Sequence, residues 1–214
     1  MTAINTHGDE NKLRESICTI AQSLFDRGFT HGSTGNVSAR CATGLLVTPT
    51  GSRLGELDPA RLSLLDDKGE LISGDAPTKE STLHLAMYQE RAANGAVIHL
   101  HSTHSTAVSV MRDVDPADVL PPLTAYYVMR IGSLPLVPYY PPGDSRLAQA
   151  VRGFAGKHHA VLLANHGPVV GGSNLMAASD AIEELEATAK LFLMLDGKPC
   201  RHLTDDQVNE LKNR

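Results

Sequence analysis

Cysteine is scarce in this chain, and its placement excludes a disulfide framework. The three cysteines, Cys18, Cys41 and Cys200, are odd in number and far apart, and no CxxC pair occurs. This usage is typical of reduced thiols in a cytosolic protein. We therefore expect a cytoplasmic protein in which the cysteines serve as small apolar side chains.

Long apolar runs and an excess of positive charge are also missing. Apolar runs such as residues 191–195 are far too short to span a bilayer, and residues 1–15 are polar, without the hydrophobic core of a signal peptide. The net charge of −5 gives no general attraction for nucleic acid, and no Walker phosphate loop is present. We expect neither a membrane nor a nucleic acid as partner, whereas a local pocket for an anionic small molecule stays open.

The composition and periodicity indicate one α/β domain over the full 214 residues. The chain has no tryptophan, and its 42% hydrophobic and 20% charged residues are ordinary for a globular protein. Apolar spacing predicts a first helix that stops at Gly28 and a long helix over about 175–195, with short strands between Gly and Pro turns. A helix over about 79–93, capped by Thr78, and an extended segment at 125–131 are also predicted. Alternating helices and strands favour a sheet covered by helices.

Two histidines one residue apart are the most informative feature. His99 and His101 end the apolar run AVIHLH at 96–101. Alternate residues of a strand share one face, so both imidazoles are expected to point the same way, as a divalent metal requires. The alternative is a pair of buried histidines with satisfied hydrogen bonds, and from this pair alone both interpretations stay open.

Two further residues could complete a metal site. His166 lies in a Gly/Pro loop directly after a buried strand, where α/β proteins place chemistry. Glu80 lies at the start of a predicted helix in the polar cluster DAPTKES at 75–81. The alternative for His166 is a loop histidine that bonds the backbone. The alternative for Glu80 is a carboxylate that complements the helix dipole. Three histidines and one carboxylate would form a mononuclear zinc-type site that also accepts substrate oxygens.

Three small-residue loops could hold a phosphate. They are residues 33–36, residues 48–52 and the pair Thr78-Lys79, which together offer hydroxyls, amides and one cation without bulk. Backbone N–H groups in such loops form anion-binding nests. Each loop taken alone is equally consistent with an ordinary turn.

Assembled in order, these segments resemble the class II aldolase/adducin family. The matching motifs are GSTGNVS at 32–38, VTPTG at 47–51, PTKE at 77–80, HLH at 99–101 and NHG at 165–167. The resemblance is greatest for the branch of 3-oxo-tetronate 4-phosphate decarboxylases. The segments that carry it are PTKE at 77–80, HLHSTHSTA at 99–107, YVMRIG at 127–132, VPYYPPGD at 137–144, LLANHGPV at 162–169 and EELEATAK at 183–190. Plain aldolases usually carry a small hydroxyl residue where this chain has Lys79.

The resemblance implies a fold, a metal and a substrate site. It implies a three-layer αβα fold with a largely antiparallel central sheet, and a homotetramer with sites at subunit interfaces. It implies one divalent metal per chain, usually Zn²⁺, held by Glu80, His99, His101 and His166. The implied phosphate contacts are Gly35, Asn36, Thr50, Gly51, Thr78 and Lys79.

The implied reaction is loss of CO2 from a phosphorylated four-carbon keto acid of sugar-acid catabolism, leaving dihydroxyacetone phosphate. We expect Glu80 to transfer the proton in this reaction. Tyr126 or Tyr127 could assist the proton transfer, but a role in packing is the simpler interpretation for either tyrosine. A class II aldolase or 4-epimerase acting on fuculose or ribulose phosphates is the main alternative. A non-catalytic, adducin-like interaction module is the remote alternative, and the presence of all four predicted metal ligands argues against it.

Overall fold

One sheet runs through the molecule. The computed structural model describes residues 6–213, and within this range the sheet has eight strands in the order β4-β3-β2-β1-β5-β8-β7-β6. The strands are β1 (Asn36–Cys41), β2 (Gly44–Val47), β3 (Ser63–Leu65), β4 (Leu71–Ser73), β5 (Ala96–His99), β6 (Leu136–Val137), β7 (Ala160–Leu163) and β8 (Gly167–Gly172). Neighbouring strands are antiparallel, apart from the parallel pair β6 and β7.

Helices cover both faces of this sheet. Over the described residues they are α1 (Thr6–Asp26), α2 (Ser81–Glu90), α3 (Thr103–Ser109), α4 (Ala125–Arg130), α5 (Ser145–Ala155), α6 (Leu175–Met194) and α7 (Asp205–Lys212). Two short 3-10 turns, Leu54–Glu56 and Pro59–Arg61, follow β2. Every helix in residues 6–213 is too short or too polar to qualify as a membrane span.

Alternation along the strands divides the core into two layers. In β7, Leu162 packs into the cluster formed with α1, α3, α4 and α6, while its neighbour Val161 packs into the cluster formed with α2 and α5. In β5, Ile98 packs into the first of these clusters and its neighbour Val97 into the second. Successive side chains of a strand point to opposite faces, so a strand with apolar residues at every position must be covered twice. The predicted three-layer αβα arrangement with a largely antiparallel sheet is confirmed.

The segment at 125–131 was predicted to be extended, and this prediction is wrong. It forms α4, which begins after Thr124, whose side chain accepts a hydrogen bond from the backbone N–H of Tyr127. Tyr127, Val128 and Ile131 are all buried, which is helical rather than alternating spacing. Gly132 then ends the helix with a φ of 79°. The β-branched and aromatic residues of this segment favour a strand locally, and burial of one helical face overrides that preference.

Helix α2 is shorter than predicted, and Thr78 does not cap it. The backbone N–H of Thr78 donates to the carbonyl of Thr48, which ties this segment to the loop after β2. Glu80 occupies the N-cap position instead. At the other end, the Asn94 side chain donates to the carbonyl of Met87, which satisfies one of the last helical carbonyls. Helix α7, with its Thr204 capping box, was not predicted.

The predicted first helix and long helix correspond to α1 and α6. Helix α5 begins after Asp144, whose side chain accepts a hydrogen bond from the backbone N–H of Arg146. Residues 1–15, for which no signal peptide was expected, fall only partly within the described range. Both ends of the predicted single domain, which spans residues 1–214, also fall outside it.

The two-layer core predicts a large difference between two strand leucines. Leu162 is fully buried in β7, whereas Leu71 of β4 is 45% exposed. We expect Leu162→Ala to lower the free energy of unfolding by about 2–5 kcal/mol and the matched control Leu71→Ala to change it by less than about 0.5 kcal/mol. Urea unfolding followed by circular dichroism at one protein concentration measures both. Equal losses would contradict the proposed layering.

Candidate metal centre

Three neighbouring strands converge on the site. β5 ends at His99, which pairs with Asn36, the first residue of β1. On the other side of β5, β8 begins at Gly167, directly after His166. Because β1 and β8 both run antiparallel to β5, their starts lie beside its end. His101 follows two residues beyond His99, and the two rings lie with centroids 5.1 Å apart.

The loop before β8 is shaped to bring His166 close to this edge. Asn165 has a φ of 57°, the left-handed region that Asn tolerates better than most residues. Gly167 also has a positive φ, and a Cβ atom there would lie 2.3 Å from the carbonyl oxygen of Leu100. A side chain at 167 would therefore push the loop away from the chain around Leu100. The Asn-His-Gly sequence thus serves the close approach of His166 to His101.

Four side chains point their ligand atoms at one another. Nε2 of His166 lies 3.0 Å from Nε2 of His101 and 3.3 Å from Nε2 of His99. The carboxylate of Glu80 places Oε2 at 3.5 Å from Nε2 of His99 and Oε1 at 3.4 Å from Nε2 of His166. One ligand atom from each residue lies within 4.8 Å of all the others. All four predicted metal-site residues are therefore adjacent in the structure.

A backbone carbonyl fixes the orientation of one imidazole. Nδ1 of His99 donates to the carbonyl of Pro168 at 2.8 Å. A proton on Nδ1 leaves the lone pair on Nε2, which faces the cluster. Metal-ligating histidines are typically held in this way by a second partner.

Glu80 is turned towards the histidines rather than towards its own helix. It is buried at the N-cap of α2, but its side chain makes no capping hydrogen bond. Oε2 accepts from the Asn36 amide at 2.8 Å, whereas Oε1 is buried without a hydrogen-bond partner. A purely capping role is therefore not what the structure shows. An unpartnered buried carboxylate oxygen among imidazoles is well suited to a cation.

The surroundings keep the imidazoles of His101 and His166 neutral. Burial, reinforced by repulsion from His99 and His166, lowers the pKa of His101 to about 3. Burial and His99 lower the pKa of His166 to about 4. Burial alone would raise the pKa of Glu80, but interactions with His99, Asn36 and His166 outweigh it and leave that pKa lowered. Neutral imidazoles and an ionised carboxylate are the forms that ligate a divalent metal, so the residues fit the metal that the sequence predicts.

A cavity of about 320 Å³ adjoins this cluster. It is lined by all six predicted phosphate contacts, namely Gly35, Asn36, Thr50, Gly51, Thr78 and Lys79. Gly35 and Gly51 both have positive φ, at 81° and 70°, so small residues suit these turns. The Asn36 side chain, however, is directed at Glu80 and Thr78, at 2.8 and 3.3 Å. Phosphate binding by these loops stays a prediction.

Sequence reasoning missed a second cavity and one buried histidine. A space of about 520 Å³ also adjoins His101 and His166, and it is lined as well by His31, Tyr139 and Asn165. His84 is buried, with Nε2 against Oδ1 of Asn36. Its position four residues after Glu80, on the same helical face, was the available signal.

The other residues singled out from sequence lie apart from the cluster. Tyr127 is buried, with its hydroxyl 3.5 Å from Asp118, whereas Tyr126 is 63% exposed. Nδ1 of His104 contacts Glu186 at 2.7 Å. His158 and His159 are half-buried, because their rings contact Ser133 and the carbonyl of Gly171.

The geometry predicts that metal content depends on the strand histidines. We expect His99→Ala or His101→Ala to lose most of the bound metal, because either change removes an inner nitrogen ligand. The control is His159→Ala, whose imidazole bonds the carbonyl of Gly171 away from the four-residue cluster. Metal per chain is measured by inductively coupled plasma mass spectrometry after zinc loading and desalting. Full metal content in both site variants would rule out this ligand set.

Comparison with known proteins agrees with the predicted resemblance. The sequence pattern of the Class II Aldolase and Adducin N-terminal domain family matches residues 15–193. A 3-oxo-tetronate 4-phosphate decarboxylase of Escherichia coli K12 is 51% identical over 95% of this chain and 97% of its own length. An L-fuculose phosphate aldolase of the same strain is 31% identical over 94% of this chain and 92% of its own.

A solved structure shows the same arrangement of elements. The crystal structure of YgbL from Escherichia coli superposes with a TM-score of 0.93 at 50% identity, covering 95% of this chain and 99% of that one. The family match spans most of the strands and helices that build the site, and the relatives are covered almost end to end. The chain belongs to the class II aldolase and adducin N-terminal domain family.

Proposed function

We propose that this protein is a metal-dependent carboxy-lyase that converts a 3-oxo-tetronate 4-phosphate into dihydroxyacetone phosphate and CO2, in the breakdown of four-carbon sugar acids. The observation that carries the proposal is the cluster of Glu80, His99, His101 and His166 beside a cavity rich in hydroxyl and amide groups. The 51% identity to a decarboxylase of that name supports this choice of substrate.

The cation that suits this donor set best is Zn²⁺. Three imidazole nitrogens and one carboxylate are ligands that zinc accepts, and sites of this kind can also accept substrate oxygens. When bound, the cation supplies Lewis-acid stabilisation for negative charge that develops on the substrate.

The substrate's own structure makes the carbon–carbon bond labile. Its carboxylate is β to the C3 ketone, so cleavage of the C1–C2 bond releases CO2 and leaves the electron pair on C2, delocalised onto the ketone oxygen as an enediolate. A proton must then be delivered to C2. We assign this proton transfer to Glu80, whose Oε1 lies in the site without a hydrogen-bond partner. Because this carboxylate is ionised, it first takes up a proton from solvent, which the overall reaction consumes, and then passes that proton to C2.

The phosphate is assigned to the 320 Å³ cavity. Thr50 and Thr78 offer hydroxyls there, and the loops around Gly35 and Gly51 bring backbone close to the space. Lys79 lines the same cavity and is exposed, so its ammonium can reach a dianionic group without the cost of burial. A cation held near the carboxylate would oppose CO2 loss if it bound that group tightly in the ground state. We therefore place Lys79 near the phosphate.

A sugar-phosphate aldolase or 4-epimerase is the second candidate. Aldol cleavage also leaves the bonding electrons on the carbon beside the ketone, so the same residues serve both reactions. The cavity of about 520 Å³ beside His101 and His166 has room for an aldehyde leaving group, and this observation favours the alternative. A non-catalytic, adducin-like role would leave the four-residue cluster without a purpose.

We infer that the protein works as a homotetramer in the cytoplasm. Exposed apolar side chains on and around α3, α4 and α6 support association with other copies of the chain: Val110 is 52%, Tyr126 63%, Met129 55% and Met194 58% exposed. The free cysteines Cys18, Cys41 and Cys200 are consistent with a reducing compartment.

The role assigned to Glu80 predicts a separation of turnover from metal binding. Glu80→Gln should keep much of the metal, because three imidazoles remain, and lose about 10²–10⁴-fold in kcat, because an amide cannot shuttle the proton. The matched control is Glu90→Gln, at the exposed opposite end of α2. Steady-state kinetics and metal analysis are measured on the same preparations. Near-normal turnover in Glu80→Gln would remove this residue from the chemistry.

Product analysis separates the two candidate functions. We expect kcat/KM for 3-oxo-tetronate 4-phosphates, tested in both C2 configurations, to exceed that for fuculose and ribulose phosphates, with CO2 and dihydroxyacetone phosphate formed one to one. Lys79→Ser should weaken decarboxylation and leave any aldol cleavage intact or improved. A ketose phosphate turned over far better, without CO2 release, would replace the decarboxylase with the aldolase or epimerase.

A further inference from the structure

A buried line of five polar side chains runs away from the metal cluster into the layer between β1 and α2. It consists of Glu80, Asn36, His84, Ser38 and Tyr88 in contact order. The Asn36 amide nitrogen lies 2.8 Å from Oε2 of Glu80, and Oδ1 of Asn36 faces Nε2 of His84. Oγ of Ser38 lies 2.6 Å from Nδ1 of His84 and 2.9 Å from the Tyr88 hydroxyl. All five side chains are buried.

Two regular spacings in the sequence build this line. Glu80, His84 and Tyr88 stand four residues apart, so they follow one face from the start of α2. Asn36 and Ser38 are alternate residues of β1, so they share one face of the sheet. The two sets interleave, and each strand residue bridges two helix residues.

The hydrogen bonds in this line can run in one direction only. An ionised Glu80 accepts hydrogen bonds and donates none, so the Asn36 amide must present its NH2 group to Oε2. Oδ1 of Asn36 then accepts, which places the proton of the neutral His84 ring on Nε2. The lone pair on Nδ1 accepts from the Ser38 hydroxyl, and Tyr88 donates to Ser38.

We propose that His84, supported by Ser38, is a positioning residue that acts on Glu80 through the orientation of the Asn36 amide. Without a donor at Nε2 of His84, the amide is free to turn over and present Oδ1 to the carboxylate, where two acceptors repel each other. The amide in its observed orientation holds Oε2 and leaves Oε1 directed at His166, 3.4 Å away. This role of His84 rests on the function proposed for Glu80.

The proposal also gives the Asn36 side chain a role other than the predicted phosphate contact. Its amide nitrogen is 2.8 Å from Glu80 and 3.3 Å from Thr78, and its oxygen faces His84. Both amide hydrogens and the oxygen therefore have partners within the protein. Any contribution of residue 36 to phosphate binding then falls to its backbone.

Substitutions at His84 separate positioning from simple packing. His84→Leu removes the donor and keeps a bulky apolar side chain, whereas His84→Gln can place an amide donor close to the position of Nε2. With Zn²⁺ saturating, His84→Leu should lower kcat by about 10–100-fold, the usual effect of losing an outer-shell partner of a metal ligand. KM should stay within about threefold, because the phosphate contacts are untouched. His84→Gln should recover most of the lost turnover. The control His159→Leu removes a half-buried imidazole that bonds the carbonyl of Gly171 and should match the wild type.

Two readouts do not depend on turnover. Nitrogen-15 NMR of the zinc-free wild type should show the His84 ring protonated at Nε2 and unprotonated at Nδ1. Competition with a chelating dye should show weaker Zn²⁺ binding in His84→Leu and recovery in His84→Gln. The NMR measurement remains decisive if His84→Leu does not fold, because it uses the wild type alone.

Three results would overturn the proposal. They are a His84 ring protonated at Nδ1, a Gln variant that folds but is as impaired as the Leu variant, and a Leu variant with wild-type kcat and Zn²⁺ affinity. Kinetics are measured on whichever phosphorylated substrate the wild type turns over. If the correct tautomer and the Gln rescue appear on a ketose phosphate, the positioning role stands and the decarboxylase assignment fails.

Discussion

The geometry of the whole site follows from the convergence of three imidazole nitrogens on one buried carboxylate. Nitrogens only 3.0 and 3.3 Å apart require strands that hold them in register. The antiparallel order β1-β5-β8 does this by placing the end of one strand between the starts of two others. Gly167 lets the loop of His166 approach, and the carbonyl of Pro168 orients His99. A change in any of these elements would move a ligand atom.

The same sheet edge also organises the cavity beside the cluster. Asn36 starts the strand that pairs with β5, so the loop before it lies next to His99. The segment at Thr78 is bonded to the loop after β2 through the carbonyl of Thr48. The three small-residue loops therefore lie together because their flanking strands and helix meet at one point. This arrangement places a group able to bind an anion next to a group able to bind a cation, as a phosphorylated keto acid requires.

Local sequence patterns and the family resemblance together identified the four residues that we propose as metal ligands. The histidine pair at the end of an apolar run and the histidine after a buried strand pointed to one sheet edge, and the structure brings both to it. The same reasoning failed for α4, because its β-branched and aromatic residues favour a strand until the burial of Tyr127 and Val128 is known. The role of His84 could not be read from the chain alone, since its partners lie 46 and 48 residues away. Contacts of that kind follow from the packing of α2 on β1, which no local pattern encodes.

We propose that Glu80, His99, His101 and His166 bind one divalent cation together. X-ray absorption at the zinc K-edge of the zinc-loaded protein reports the ligands of the cation. We expect one zinc per chain with an inner shell of nitrogen and oxygen at about 2.0–2.2 Å and the multiple-scattering signature of three imidazoles. An inner shell containing sulfur at about 2.3 Å, or a zinc spectrum without imidazole scattering, would contradict it.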